Sequence, residues 1–236
     1  MGSSTGKLTR LQRELLEAFF EREKDFFLSG GAALAGFYLQ HRATDDLDLF
    51  TLDADALERG HHVVLDAAER LGCTWSIRQE APGFRRYVIT RGHEGLVVDL
   101  VLERVAQTGG PKREFGAIRV DPPREILANK LAALAGRAEI RDLVDVYSLE
   151  ESGLSVEDAL AAVLAKDAGA TPATIAWVLS EIVLPDAAEL PGDIPPPVLQ
   201  EYRDRLVRRL RTAGAPPTEP RPGDRDPSED DDIEED

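Results

Sequence analysis

The sequence predicts an α+β fold, a small mixed β-sheet carrying helices followed by an all-helical C-terminal half. Two observations carry this. Apolar residues first recur at helical spacing, then from Thr74 to Val120 fall into short runs rich in β-branched and aromatic residues, separated by Gly/Pro turns. After Asp121-Pro122-Pro123, a helix-start signal, helical spacing returns and continues to about Arg211.

Taken in order, Ser3, Ser4 and Gly6 read as a short disordered leader. Leu8, Leu11, Leu15, Leu16 and Phe19 then mark an amphipathic helix over 8–24. The small-residue turn Ser29-Gly30-Gly31 opens a short apolar helix over 32–41, and Asp46–Leu52 reads as a strand. A helix over 55–71 precedes strands at Thr74–Gln79, Phe84–Arg91, Leu96–Glu103 and Ala117–Val120. Helices over 123–135, 140–151, 155–167, 172–183 and 196–211 follow, with Ser155 and Thr171-Pro172 as N-cap signals. The division this suggests is an α/β unit over 1–120, a helical unit over 121–213 and a tail over 214–236.

The 236-residue chain has ample material for a buried core. A single cysteine, Cys73, excludes an internal disulfide framework and a Cys-rich metal site. The N-terminal segment has no apolar run long enough for a signal sequence or membrane span, so a soluble, cytoplasmic protein is expected. The net charge is −16, and the tail from Ala215 holds ten acids against two arginines, half of that total. Pro-rich, acidic and nearly without apolar residues, the tail is expected to be disordered. Nucleic acid would therefore have to be met by a local basic patch.

The chemistry concentrates between Ser29 and Phe50. Asp46 and Asp48 lie two apart in a strand, so both carboxylates project to one face, an arrangement that suits a hard divalent cation. Ser29, Gly30 and Gly31 precede a helix, where unpaired backbone N–H groups suit phosphate oxygens. Asp99 interrupts the apolar run Leu96–Leu102, and an ionised Asp there needs a partner, a proton or a metal. With Asp46 and Asp48 it would complete a metal-binding triad for Mg²⁺, orienting a nucleoside triphosphate and activating a hydroxyl. In a continuous helix Lys130, Arg137 and Arg141 would stay within about 40° of one face and could neutralise a triphosphate. Gly136 is a potential break in that helix. Arg42 is tied to the motif, touching phosphate or fixing Asp46. Asp142 and Asp145 could orient the arginines, and Arg141 with Asp145 also has the spacing of a simple helical ion pair. Arg85-Arg86 and the arginines of 203–211 are weaker candidates for an RNA patch, and His41 has no metal-ligand company.

The runs Gly30-Gly31-Ala-Ala-Leu34 and His41-Arg42-x-Thr44-x-Asp46-Leu-Asp48-Leu-Phe50 resemble the first motif of the AbiEii/AbiGii toxin family of nucleotidyltransferases. Arg124-Glu-Ile-Leu-Ala-Asn-Lys130, followed by Arg137-x-x-x-Arg141-Asp142-Leu-Val-Asp145, resembles its second block. The resemblance spans about 25–150, with Thr44 where Ser is more usual. It implies a polymerase-β-like nucleotidyltransferase core, Mg²⁺, a nucleoside triphosphate donor and a bacterial toxin–antitoxin setting with a cognate antitoxin. Members similar to the MenT group act on the tRNA 3′ end, which makes tRNA the implied acceptor. The resemblance also implies that Asp46 and Asp48 bind metal, that Lys130 meets the triphosphate and that Asp142 stands behind it. Other acceptors open at this point are an antibiotic or a protein hydroxyl. A catalytically silent nucleotide-binding module is a further alternative.

Overall fold

The computed structural model describes residues 7–184 and 190–215. The expected leader, and all of the expected tail beyond Ala215, lie outside the described residues. Helix α1 (Arg10–Arg22) begins at Thr9, whose side chain and that of Gln12 close a reciprocal capping box. Strand β1 (Phe26–Ser29) leads into α2 (Gly30–Ala33) and a π-helical turn (Leu34–Tyr38). Then come β2 (Asp46–Thr51), α3 (Ala54–Arg70), β3 (Thr74–Ala81), β4 (Phe84–Arg91), β5 (Glu94–Leu102), β6 (Arg113–Phe115) and β7 (Ile118–Val120). The C-terminal half holds α4 (Pro123–Gly136), α5 (Ile140–Glu151), α6 (Val156–Lys166), α7 (Pro172–Glu181) and α8 (Pro196–Ala213).

The strands form one seven-stranded mixed sheet of order β3-β4-β5-β2-β1-β7-β6. β2 runs antiparallel to β1 and parallel to β5, and β1 runs parallel to β7. On one face Leu47, Leu49, Tyr87, Ile89, Val98 and Leu100 are buried, and α1 and α3 pack there. Removing that apolar surface from water holds the layer together. The other face carries the aspartates of β2, and α4 and α5 approach it beside α2.

The sequence reading contains no strand at β1 or β6. All four residues of β1 are buried, so no in–out alternation marks it. β6 is a short, exposed edge strand. The apolar helix expected over 32–41 begins earlier and widens into the π turn. Gly36 lies in that turn, and a Cβ there would sit 2.6 Å from the Leu8 Cδ1 methyl. A side chain at that position would force the buried Leu8 side chain to shift.

Candidate active site

Adjacency of the acidic strands is the first requirement, and the sheet supplies it. β2 and β5 pair in register with Asp48 directly opposite Asp99. Residues opposite each other point to the same face, and Asp46 shares it by alternation. Asp45 is exposed on the other face. In the antiparallel β4–β5 pair Arg86 stands opposite Asp99 and forks onto it, Nε to Oδ1 at 2.8 Å and Nη2 to Oδ2 at 2.6 Å. Burial, then the neighbouring Asp99 and Asp46 charges, push the Asp48 carboxyl up to about 6, against the pull of Lys130 and Arg137. Part of Asp48 still faces the cleft, so water moderates that effect.

Gly30 and Gly31 make room for this cluster. A Cβ on Gly30 would lie 2.4 Å from Asp48 Oδ2, and one on Gly31 would lie 2.6 Å from Arg42 Nη2. Gly30 also has φ of +64°, a conformation that side chains disfavour. Ser29 does not line the cleft. It is buried on β1 opposite Asp48, beside Asp121, whose carboxyl burial raises against the pull of Lys112 and Ser29.

Lys130 is buried on α4, with Nζ 2.7 Å from Asp142 Oδ1 and 2.7 Å from Asp145 Oδ2. Asp142 also accepts from Arg137 Nε at 2.9 Å. Asp145, fully buried on α5, accepts from Arg42 Nε at 2.6 Å and Nη2 at 2.8 Å, and from His41 Nε2 at 2.7 Å. Burial alone would raise the Asp145 carboxyl, but those hydrogen bonds and the Lys130 and Arg42 charges hold it well below the usual carboxylate range. The cleft bounded by these groups measures about 120 Å³ and is lined by Gly31, Arg42, Thr44, Asp46, Asp48, Arg86, Asp99, Lys130, Arg137 and Arg141.

The cations converge by a different route from a continuous helix. α4 ends at Gly136, Arg137 is extended at its C-cap, and α5 starts afresh at Ile140. Lys130, Arg137 and Arg141 thus meet across a helix corner. Arg42 neither fixes Asp46 nor stands free: its fork is on Asp145, and Nη1 donates to the Ala43 carbonyl. Arg141 pairs with Glu139 and lies 3.5 Å from Asp46 Oδ2, so the Arg141–Asp145 helical pair does not form. His41 joins no metal-ligand set among the described residues; its Nε2 meets Asp145. Arg209 on α8 is engaged by Glu150 and Glu157, which ties α8 to α5 and α6.

Sequence reasoning underrated Asp145 and Arg86. Asp145 follows Asp142 by three residues in a helix, which aligns both toward one neighbour. Arg86 was findable by counting back from the Gly92-His93 hairpin turn, which sets Arg91 against Glu94 and so Arg86 against Asp99.

The donor chemistry at the cleft fits a hard divalent cation. Asp46 and Asp48 present carboxylate oxygens there, and Asp48 makes no ion pair among the described residues. Asp99 has both oxygens taken by Arg86. Among the described residues no group of three or more His, Cys, Asp or Glu side chains is already arranged as a metal site.

Residues 14–218 match the protein family described as nucleotidyl transferase AbiEii toxin, type IV TA system. Among solved structures, the chain is similar to a candidate nucleotidyltransferase from H. pylori, at 18% identity and a TM-score of 0.53 over 88% of this chain and 96% of that one. It is similar to JHP933 from Helicobacter pylori at 16% identity and a TM-score of 0.50, over 86% and 92% of the two chains. The nucleotidyltransferase toxin MenT4 from Mycobacterium tuberculosis aligns at 15% identity and a TM-score of 0.49, over 85% of this chain and 80% of that one. No curated protein matches the chain in sequence.

Proposed function

From its membership of the AbiEii nucleotidyltransferase toxin family, to which this chain belongs, we propose that it transfers a nucleotide from a nucleoside triphosphate to the tRNA 3′ end and so blocks translation. The chain is a nucleotidyltransferase of a toxin–antitoxin family, with the α+β fold of polymerase-β-like nucleotidyltransferases. The observation that supports the reaction is the juxtaposition of Asp46, Asp48 and Asp99 with the buried Lys130 in one polar cleft. In this reading Asp46 and Asp48, joined by Asp99, hold Mg²⁺. When bound, the ion neutralises phosphate oxygens and makes the acceptor hydroxyl a better nucleophile.

The chain's own groups supply the rest. Lys130 has three N–H donors, one of them given to Asp142 Oδ1 while Asp145 Oδ2 lies within ion-pair distance, which leaves donor capacity for a phosphate oxygen. Those aspartates fix its position, so its charge needs little rearrangement to act. Arg137 and Arg141, half-exposed at the mouth, are placed to meet the outer phosphates and the leaving pyrophosphate. Gly30 and Gly31 allow the main chain to approach the Asp48 side of the cleft. Asp145 holds Arg42, His41 and Lys130 in register and stays away from the reacting atoms. The cognate antitoxin and a cytoplasmic location belong to the same reading. No described helix is long and apolar enough to cross a membrane.

Each labelled nucleoside triphosphate, incubated separately with Mg²⁺ and total tRNA, protein or aminoglycosides, tests the acceptor. Label on the tRNA 3′ end is expected. Label confined to protein or to an aminoglycoside moves the acceptor to that class, and no label in any pool sinks the catalytic reading.

A further inference from the structure

The third carboxylate of the proposed metal set is already answered by a cation of the chain's own. Asp99 is 4% exposed, and its two oxygens take the two arms of the Arg86 fork. The pairing is built into the sheet, because the β4–β5 register sets Arg86 directly across from Asp99. Phe84, two residues earlier on the same face, lies under the guanidinium with its ring centre 5.6 Å away. The Arg86 side chain is nevertheless 44% exposed, so once released its guanidinium would be hydrated, whereas the buried Asp99 cannot follow it. The other cations of the cleft are differently engaged: Lys130 by Asp142 and Asp145, Arg137 by Asp142, and Arg141 by Glu139, with a single long contact of 3.5 Å to Asp46 in place of a fork.

We propose that Arg86 is a positioning residue, a resident counter-cation that keeps the Asp99 carboxylate aimed into the cleft and yields it to a divalent cation. Asp46 and Asp48 engage the ion first, and Asp99 joins as the Arg86 fork opens. This rests on the reading of the three aspartates as metal ligands. A bidentate guanidinium–carboxylate pair is among the stronger polar contacts, so divalent affinity in the free protein is set by competition with it. Divalent binding and Arg86 release are then one coupled event.

The test is Mn²⁺ binding to the full chain without nucleotide, followed by the electron paramagnetic resonance of free Mn²⁺. Arg86→Met should bind Mn²⁺ roughly tenfold more tightly than wild type, since the ion no longer displaces a charge-assisted fork. Arg86→Lys, which keeps the charge but loses the fork, should fall between them. Adding Asp99→Asn to Arg86→Met should abolish the gain. Thermal melts in EDTA and in Mn²⁺ give a second readout: Arg86→Met should start lower than wild type and be raised more by the ion. Equal Mn²⁺ affinity in wild type and Arg86→Met overturns the proposal and leaves the metal reading standing. Mn²⁺ binding no better than in an Asp46→Asn/Asp48→Asn control overturns both. If Arg86→Met does not fold, equal affinity in wild type and Arg86→Lys overturns the proposal in its place.

Discussion

At the scale of single residues, Asp48 is the most exposed to consequence, because it sits among like charges with no cation of its own. Its carboxyl is pushed up to about 6 in the folded state, above its ordinary value. The folded protein therefore holds that proton more tightly than the unfolded chain does. The penalty is fully present above about pH 6 and fades as the pH falls toward the ordinary carboxylate range. In metal-free protein Asp48→Asn should raise stability by about 1–2 kcal/mol at neutral pH, a value reduced for partial solvent access, and by almost nothing near pH 4. Denaturant melts in EDTA at the two pH values check this, and an equal gain at both contradicts it. The same substitution should abolish nucleotide transfer and growth arrest on induction. Arrest that persists undiminished would falsify toxicity by catalysis at this site. Lys130→Ala should act differently, weakening nucleotide binding about tenfold or more through the lost point charge while leaving activity partly recoverable at high nucleotide. Calorimetry showing unchanged nucleotide affinity removes Lys130 from the site.

At the scale of elements, the cleft depends on two junctions. The β1–α2 junction puts Gly30 against Asp48, and the α4–α5 corner delivers Lys130, Asp142 and Asp145. Gly30→Ala should cost about 1 kcal/mol or more from its positive φ alone, and should also displace Asp48 and lower turnover. Unchanged kcat in that variant excludes the close approach as a functional requirement. Asp145→Ala strips four charge-assisted contacts from Arg42, His41 and Lys130, leaving the buried Arg42 without a carboxylate partner and Lys130 with Asp142 alone. It should destabilise the protein by about 3–5 kcal/mol, readable as a drop in thermal midpoint. How much of this was legible in sequence differs by element. Asp46 and Asp48 stood out because period-two alternation fixes their common face without any tertiary knowledge. The β4–β5 hairpin was legible too, through its tight turn. The β2–β5 pairing was not, because a parallel contact across an intervening helix and hairpin leaves no local signal. β1 lay hidden for the opposite reason, since a strand buried on both faces looks like any short apolar run. The cation cluster was found by a helical argument that Gly136 defeats, and it converges because tertiary packing turns the corner.

At the scale of the whole molecule, charge and chain order set the remaining behaviour. The chain carries −16, half of it from Ala215 onward. Truncation after Ala215, which keeps the Gly214 cap of α8, should preserve transfer. It should also strengthen tRNA association at low salt while leaving it unchanged at high salt, because like-charge repulsion is screened beyond roughly 8 Å at physiological ionic strength. Filter binding at two salt concentrations decides this, and identical low-salt curves retire electrostatic shielding by the tail. The parallel alignment of β2 with β5 has a last implication, for the protein during its own synthesis. Asp48 finds its neighbour only after a helix and a hairpin have been made, and long-range parallel pairing is a slow step in folding. Lys130, Asp142 and Asp145 leave the ribosome later still. In the proposed reaction a nascent chain therefore has no complete site until α5 has emerged, whatever part of the cleft has already folded.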